Sequence, residues 1–294
     1  MLNFYAKSNK IAKETELYLK SVFSKQNKNS LLIKAMNYGI FSGGKRFRST
    51  VVSNTGKIFN IQKKKLVIIG SAIECIHSYS LIHDDLPAMD DDNFRRGKPT
   101  MHKKFNEFTA ILAGSSLLTL AFEILSSKDL KIPQVYKNEL VKTLSKCSGH
   151  LGLAGGQYLD LTFEKKKISK KKIINMQRKK TGELFGFCCE SVGIINGFKN
   201  RERKQLKDIG LDIGLLFQIV DDLIDYKGDS KIVGKPTRSD QKKGKATLIN
   251  LLGYNGTVNL AKEIRKKLAR KIKAYGRKSK DLLESVDFIL ERKF

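Results

Sequence analysis

Apolar side chains in this chain recur at three- and four-residue intervals over long stretches, which is the period of a helix rather than of a strand. From Leu66 to Asp85 the residues Val67, Ile68, Ile69, Ala72, Ile73, Ile76, Tyr79 and Ile82 leave almost no polar face. A helix that is apolar all round belongs in the middle of a bundle. Residues 107–127, 172–196 and 203–227 carry the same pattern. Residues 257–291 differ, with one apolar stripe and lysines opposite it. That predicts a surface helix, or alternatively an amphipathic helix for a membrane surface or a partner. The four prolines, Pro87, Pro99, Pro133 and Pro236, each fall at a plausible helix boundary or loop. No series of alternating strands with turn dipeptides interrupts the helices. Gly149, Gly152, Gly155 and Gly156 in "SGHLGLAGGQYLDL" stand at helical spacing and predict close helix–helix approach. A phosphate-cradling loop would need a preceding strand. With no internal repeat and no linker, the expectation is an all-α fold in a single domain over residues 1–294.

Composition narrows the class. The chain has 294 residues, 40% of them hydrophobic, enough for a large core and against disorder. Cys75, Cys147, Cys188 and Cys189 show no C-x-x-C spacing and are expected to be reduced, buried thiols. The N-terminal residues lack a continuous apolar stretch, and Glu14 and Glu16 argue against a transit peptide. No run of about eighteen apolar residues occurs, so no membrane span is expected. The protein is expected to be soluble and cytoplasmic. The net charge is +28, and lysine outnumbers arginine 45 to 12. The lysines are scattered, with no zinc-finger spacing, RNP-like box or basic zipper beside them, so solvated faces are preferred over nucleic-acid binding.

The acidic residues are placed very differently. Asp84, Asp85, Asp90, Asp91 and Asp92 crowd together just after the most apolar helix, and Arg95 and Arg96 follow at once. Pro87 forbids regular continuation of that helix. On a straight helix Asp90 would point about 240° away from Asp84, and a bulge at "LPAM" would swing it back. A second cluster, Asp221, Asp222 and Asp225, ends another apolar helix in "LLFQIVDDLIDYKGD". Asp221 and Asp225 share a face about 6 Å apart, and such like-charged pairs weaken a helix by a few tenths of a kcal/mol unless a cation bridges them. Carboxylates without a His/Cys cage suit Mg²⁺, which keeps waters and substrate phosphates in its shell. Two such clusters, one followed by paired guanidiniums, point to a metal-held diphosphate. Lys45, Arg46 and Arg48 in "SGGKRFRS", Lys180 and Thr181 in "KKTGELFG", and Lys235 and Lys245 in "GKPTRSDQKKGKAT" are further candidates for phosphate contacts.

The motifs "GGKRFR", "ECIHSYSLIHDDLPAMDDDNFRRGKPTMH", "GGQYLDL", "KTGELF", "FQIVDDLID" and "GKATL" occur in this order from about residue 30 onward. In them the chain resembles the trans-isoprenyl diphosphate synthases, the polyprenyl synthetase family, and within it the bacterial farnesyl type. The resemblance implies an all-helical bundle around a central apolar cavity, usually dimeric. It implies Mg²⁺-dependent head-to-tail (1'-4) condensation of isopentenyl diphosphate with dimethylallyl and geranyl diphosphate, with three ions present once the allylic diphosphate is bound. By motif position, the metal ligands are Asp84, Asp90 and Asp221, with Asp85, Asp222 and Asp225 supporting them. Arg95, Lys180 and Lys235 match the allylic diphosphate side, and Lys245 is a further substrate-binding candidate. Lys45, Arg48, His77 and Arg96 match the isopentenyl diphosphate side. Thr181 and Gln218 match the polar groups that face the carbocation. Only the motif distinguishes His77 from a core histidine.

Tyr79, with Ser80 beside it, matches the position that limits product length. Together with the two-residue insertion in the first aspartate motif, it implies a farnesyl product with Tyr79 as the floor. Ser49 departs from the proline that commonly follows the Arg48 position, and the expectation is a looser loop. A geranylgeranyl or longer-chain synthase and a non-catalytic partner subunit remain the alternatives.

Overall fold

The computed structural model describes residues 2–227 and 243–292. The described chain is helical almost throughout, as the apolar periodicity predicts. Its helices are α1 (Leu2–Phe23), α2 (Leu31–Phe41), α3 (Phe47–Ile58), α4 (Lys63–Asp84), α5 (Met101–Lys104), α6 (Glu107–Ser126) and α7 (Gln134–Ser148). They continue as α8 (Leu153–Thr162), α9 (Lys170–Gln177), α10 (Glu183–Ile195), α11 (Asn200–Lys227), α12 (Leu248–Lys273) and α13 (Lys280–Glu291). A two-residue antiparallel pair, β1 (Phe94–Arg95) and β2 (Lys98–Pro99), follows α4. The chain that reads as a single domain gathers into two compact units. The first comprises Leu2–Ser53 and Ile61–Val141, the second Asn54–Asn60 and the chain from Lys142 onward.

In the first unit α4 packs along α6, with α1 and α2 against them. Leu66, Ile68, Ile69, Ala72, Ile73, Cys75 and Ile76 of α4 are buried together with Ala110, Ala113, Leu117 and Ala121 of α6. Burying an aliphatic side chain fully stabilises by roughly 1.5–3 kcal/mol, so this pair of helices holds much of the unit's core. Asn106 caps α6 by accepting the Thr109 N–H at 2.9 Å, a contact worth about 1 kcal/mol. Gly114 is required here, because a Cβ would come within 2.2 Å of His83 Nε2. By length and composition alone, both α4 and α6 are long and apolar enough to cross a membrane. The burial of α4 explains its composition within the protein's own core.

In the second unit α10 and α11 form the central pair. Leu184, Phe185, Cys188, Val192, Ile213, Leu216 and Val220 are buried there. Gly210 and Gly214 allow the approach. A Cβ on the first would lie 2.2 Å from the Phe185 carbonyl oxygen, and one on the second 2.6 Å from Gly182 Cα.

Three details differ from the sequence reading. The helix expected over 172–196 contains a π-helical turn, Arg178–Gly182, between α9 and α10. The tail expected over 257–291 divides into α12 and α13 at Gly276, whose φ of 76° a regular helix cannot accommodate. The four glycines do not share one helix, because α8 begins only at Leu153. Among them Gly156 makes the close approach, packing on the Lys180 backbone, where a Cβ would lie 2.1 Å from the amide nitrogen. All four cysteines are free and buried, and burial pushes the Cys189 thiol up to about 12.

Candidate active site

The first acidic cluster is built by the end of α4. Asp84 is its last residue and Asp85 caps it. The chain then folds back on itself. The Asp90 N–H donates to the Asp84 carbonyl at 2.9 Å, Asp91 to Leu86 at 3.1 Å and Asp92 to Asp85 at 3.3 Å. The turn expected at "LPAM" is therefore present, and it returns Asp90 to Asp84. Both side chains are partly exposed. Asp85 is buried and differently engaged. Arg95 Nε donates to its two oxygens at 2.8 and 2.9 Å, and Arg95 Nη2 to Oδ1 at 2.5 Å. Burial pushes the Asp85 carboxyl up, against the opposing pull of Arg95. Asp85 thus fixes the guanidinium in a fork geometry beside Asp84 rather than standing open itself.

Arg96 and Gly97, at φ 53° and 73°, turn the chain between β1 and β2. The Tyr38 hydroxyl donates to the Pro99 carbonyl at 2.6 Å, and Thr100 Oγ1 donates to Asp92 at 2.7 Å, pinning this hairpin. Arg96 Nη1 donates to the Gly43 carbonyl, which joins it to the "SGGKRFRS" loop. Gly44, at φ 120°, leaves room for that guanidinium, since a Cβ would come within 2.5 Å of it. In this loop Lys45 is exposed, Arg48 is half-buried and Arg46 is buried.

His77 lies two turns before the aspartates on α4. Desolvation, and after it the Arg48, Arg96, Arg95 and Arg46 guanidiniums, hold its imidazole well below the usual histidine range. It is neutral at neutral pH and can donate a hydrogen bond without adding charge. An unfolded chain protonates this group near about pH 6.5, so its contribution to stability is present above that pH and lost as pH falls. The His77→Gln variant is expected to lose less melting temperature than the parent between about pH 7.5 and about pH 5. Thermal unfolding at the two pH values checks this, and equal losses would rule it out.

Tyr79 is half-buried on the same helix, edge-on to the His83 ring at 5.0 Å. Ser80 is buried, and its hydroxyl donates to the His77 carbonyl at 2.9 Å within the helix. The Ser49 expectation is overturned. Ser49 lies buried in α3, and its N–H and its hydroxyl both donate to Glu74 Oε1 at 3.3 Å. A proline has no N–H to give, so serine ties this segment down where a looser loop was expected.

In the second unit the acidic cluster lies on the last two turns of α11. Asp221 pairs with Arg292 at 2.5 Å, and the Arg292 guanidinium lies 4.5 Å over the Phe217 ring. Asp222 and Asp225 are buried. Asp222 accepts from Gln177 Nε2 at 2.8 Å and from Gln218 Nε2 at 2.9 Å, while Gln218 Oε1 accepts the Thr181 hydroxyl at 2.8 Å. Thr181, Gln218, Asp222 and Gln177 therefore form one connected polar chain. Thr181 and Lys180 belong to the π-helical turn, a local distortion that often marks functional sites. Lys180 and Lys245 both donate to Asp160 Oδ2, at 2.7 and 3.0 Å, and Lys245 also meets Glu164 at 2.8 Å. Burial raises the Asp160 carboxyl, but the two ammonium groups reverse this and hold it below the usual carboxylate range. Lys235 lies outside the described residues.

The sequence reading missed Asp160, Glu164, Gln177, Glu74 and Arg292. Asp160 had a signal, standing in "GGQYLDL" before a polar loop. The others meet their partners only through folding.

The donors fit Mg²⁺. Both clusters offer carboxylate oxygens, and the turn after α4 brings Asp84 and Asp90 together. Among the described residues no three acidic, histidine or cysteine side chains form a ready cage. An ion held here would complete its shell with water and diphosphate oxygens, as Mg²⁺ prefers.

Comparison with known proteins agrees with this geometry. The family described as Polyprenyl synthetase matches residues 29–286. Farnesyl diphosphate synthase of Escherichia coli (strain K12) is 40% identical over 271 residues, covering 90% of each chain. The apo crystal structure of an FPP/GFPP synthase from Zymomonas mobilis superposes with a TM-score of 0.86 at 36% identity, covering 98% of this chain and 99% of that one. A geranyltransferase from Helicobacter pylori, solved with magnesium and isoprenyl diphosphate, gives a TM-score of 0.82 at 31% identity, covering 98% of this chain and 96% of that one. Two aspartate clusters after apolar helices, an arginine forked onto Asp85 and a match spanning most of the chain lead to one assignment: this protein belongs to the polyprenyl synthetase family.

Proposed function

We propose that the chain is a farnesyl diphosphate synthase, condensing isopentenyl diphosphate with dimethylallyl and then geranyl diphosphate. The observation that carries this reading is the fold-back of Asp90 onto Asp84 with Arg95 clamped beside them, supported by similarity to several bacterial farnesyl diphosphate synthases. Ionising the allylic carbon–oxygen bond requires the leaving diphosphate to be stabilised as its charge develops. Bound Mg²⁺, an expected three ions, supplies that stabilisation as a Lewis acid.

The chain's own residues do the rest. Asp84, Asp90 and Asp221, with Asp225, hold the ions, and Asp85 and Asp222 keep Arg95 and Gln218 aimed. Arg95, Lys180, Lys235 and Lys245 bind the allylic diphosphate. Lys45, Arg48, Arg96 and neutral His77 bind isopentenyl diphosphate. The Thr181–Gln218 pair presents polar oxygens toward the allylic cation without offering a nucleophilic water. The two units serve this one reaction as a single polyprenyl synthase domain. Tyr79, with Ser80 behind it, limits the product to fifteen carbons.

The protein works in the cytoplasm as a homodimer. The face of α6 bearing Phe108, Ile111 and Leu112 is exposed, and α6 carries no lysine or arginine in a chain of net charge +28. Such a face suits a second copy of the same surface. The Ile111→Lys variant is expected to sediment as a monomer where the parent sediments as a dimer, and a monomeric parent would refute the assembly.

A product assay tests the function. The protein receives isopentenyl and dimethylallyl diphosphate with Mg²⁺, with and without EDTA, and the dephosphorylated prenols are separated by length. Farnesol formed only with Mg²⁺ is the expected result. Geranylgeraniol or longer prenols would keep the chemistry and change the product, and no prenol from folded protein would indicate a non-catalytic subunit.

A further inference from the structure

The loop that carries Lys45 and leads into Arg48 at the start of α3 has an unusual backbone. Gly43, Gly44 and Arg46 stand at φ 98°, 120° and 47°, three left-handed residues within four. For arginine this conformation is sparsely populated and persists only where surrounding contacts impose it. One buried carboxylate contacts both ends of the segment from Arg46 to Ser49. Glu74, on α4 and 2% exposed, has Arg46 Nη1 3.7 Å from its Oε2. Its Oε1 accepts both the N–H and the hydroxyl of Ser49 at 3.3 Å. Arg46 is also held by Glu16 at 3.2 Å through Nε and by the Ile40 carbonyl through Nη2. Gly70, one turn before Glu74, leaves the space in which Ser49 sits, since a Cβ there would come 2.9 Å from Ser49 Oγ.

We infer that Glu74 is a positioning residue for isopentenyl diphosphate binding, fixing Arg46 and Ser49 on either side so that Lys45 and Arg48 are held at set positions. Glutamate is almost never fully buried unless paired, and here its two oxygens grip both ends of a four-residue segment. Glu74 also precedes His77 by three residues, so the anchor and the imidazole share one face of α4. Ser49 makes the tie in this chain, because its N–H and hydroxyl supply two of the three contacts to Glu74. The inference rests on the reading of Lys45 and Arg48 as isopentenyl diphosphate contacts.

The test uses full-length protein and varies each substrate separately. Ser49→Ala removes one hydrogen bond to Glu74 and is expected to raise KM for isopentenyl diphosphate about fivefold. Its kcat and its KM for the allylic diphosphate are expected to stay within about twofold of the parent, a split that general destabilisation would not produce. Glu74→Gln is expected to move the same KM further in the same direction. Calorimetric titration with isopentenyl diphosphate alone should show the same weakening without turnover. If Glu74→Gln fails to fold, Ser49→Ala decides the matter by itself. Equal loss for both substrates, or an unchanged isopentenyl KM in Ser49→Ala, overturns the inference. Lys45→Ala and Arg48→Ala separate the two levels. If they too leave that KM unchanged, the assignment of the loop fails; if they raise it while Ser49→Ala does not, only the role of Glu74 fails.

Discussion

Asp84→Ala is expected to lower turnover by about 10²–10³-fold or more, with Asp221→Ala close behind it. Stabilising the leaving diphosphate is the main catalytic demand, and a loss of that size corresponds to about 3–4 kcal/mol of barrier. The turn that returns Asp90 is made through the Asp84 backbone carbonyl, which alanine keeps. The Asp221 variant also removes the partner of Arg292, so its unfolding curve has to be compared with the parent's. Asp85→Ala should fail for another reason, by releasing Arg95, which it holds through three hydrogen bonds. Raising Mg²⁺ should partly restore Asp84→Ala and leave Asp85→Ala unchanged. Single-turnover formation of prenyl product from labelled isopentenyl diphosphate reads all three. Parent-like turnover in Asp84→Ala or Asp221→Ala would discard the assignment of the metal ligands.

Tyr79→Ala is expected to extend the product past fifteen carbons while conversion of the short allylic substrate continues. Tyr79 lies five residues before Asp84 on α4, about 7.5 Å along the helix, and the proposed floor requires its ring to block the growing chain. The ring is braced by His83 at 5.0 Å, and His83 Nε2 lies 3.1 Å from the Ile111 carbonyl of α6. A braced ring resists displacement better than a free one, so truncation should act on length rather than on rate. Chromatography of the dephosphorylated prenols reads the outcome. A product distribution identical to the parent's would remove Tyr79 as the floor.

Much of this was legible before folding because it depends on near neighbours in the chain. Helix period, the stop at Pro87 and the pairing of Asp221 with Asp225 on one face follow from local geometry. The π-helical turn at Arg178–Gly182 was not legible, since its residues do not differ in pattern from the helices on either side. The role of Arg46 was also hidden. In "GGKRFR" three cations look alike, and only packing shows that Arg46 is buried against Glu16 and Glu74 while Lys45 is exposed.

By itself the sequence determined the all-α class, the carboxylate chemistry and the order of the motifs, since periodicity and residue type are properties of the chain. The tertiary structure alone decided which charges serve as anchors. Glu74 meets Ser49 across 25 residues and Asp160 meets Lys245 across 85. A buried charge is tolerated only beside its partner, and which partner that is depends on how the helices pack.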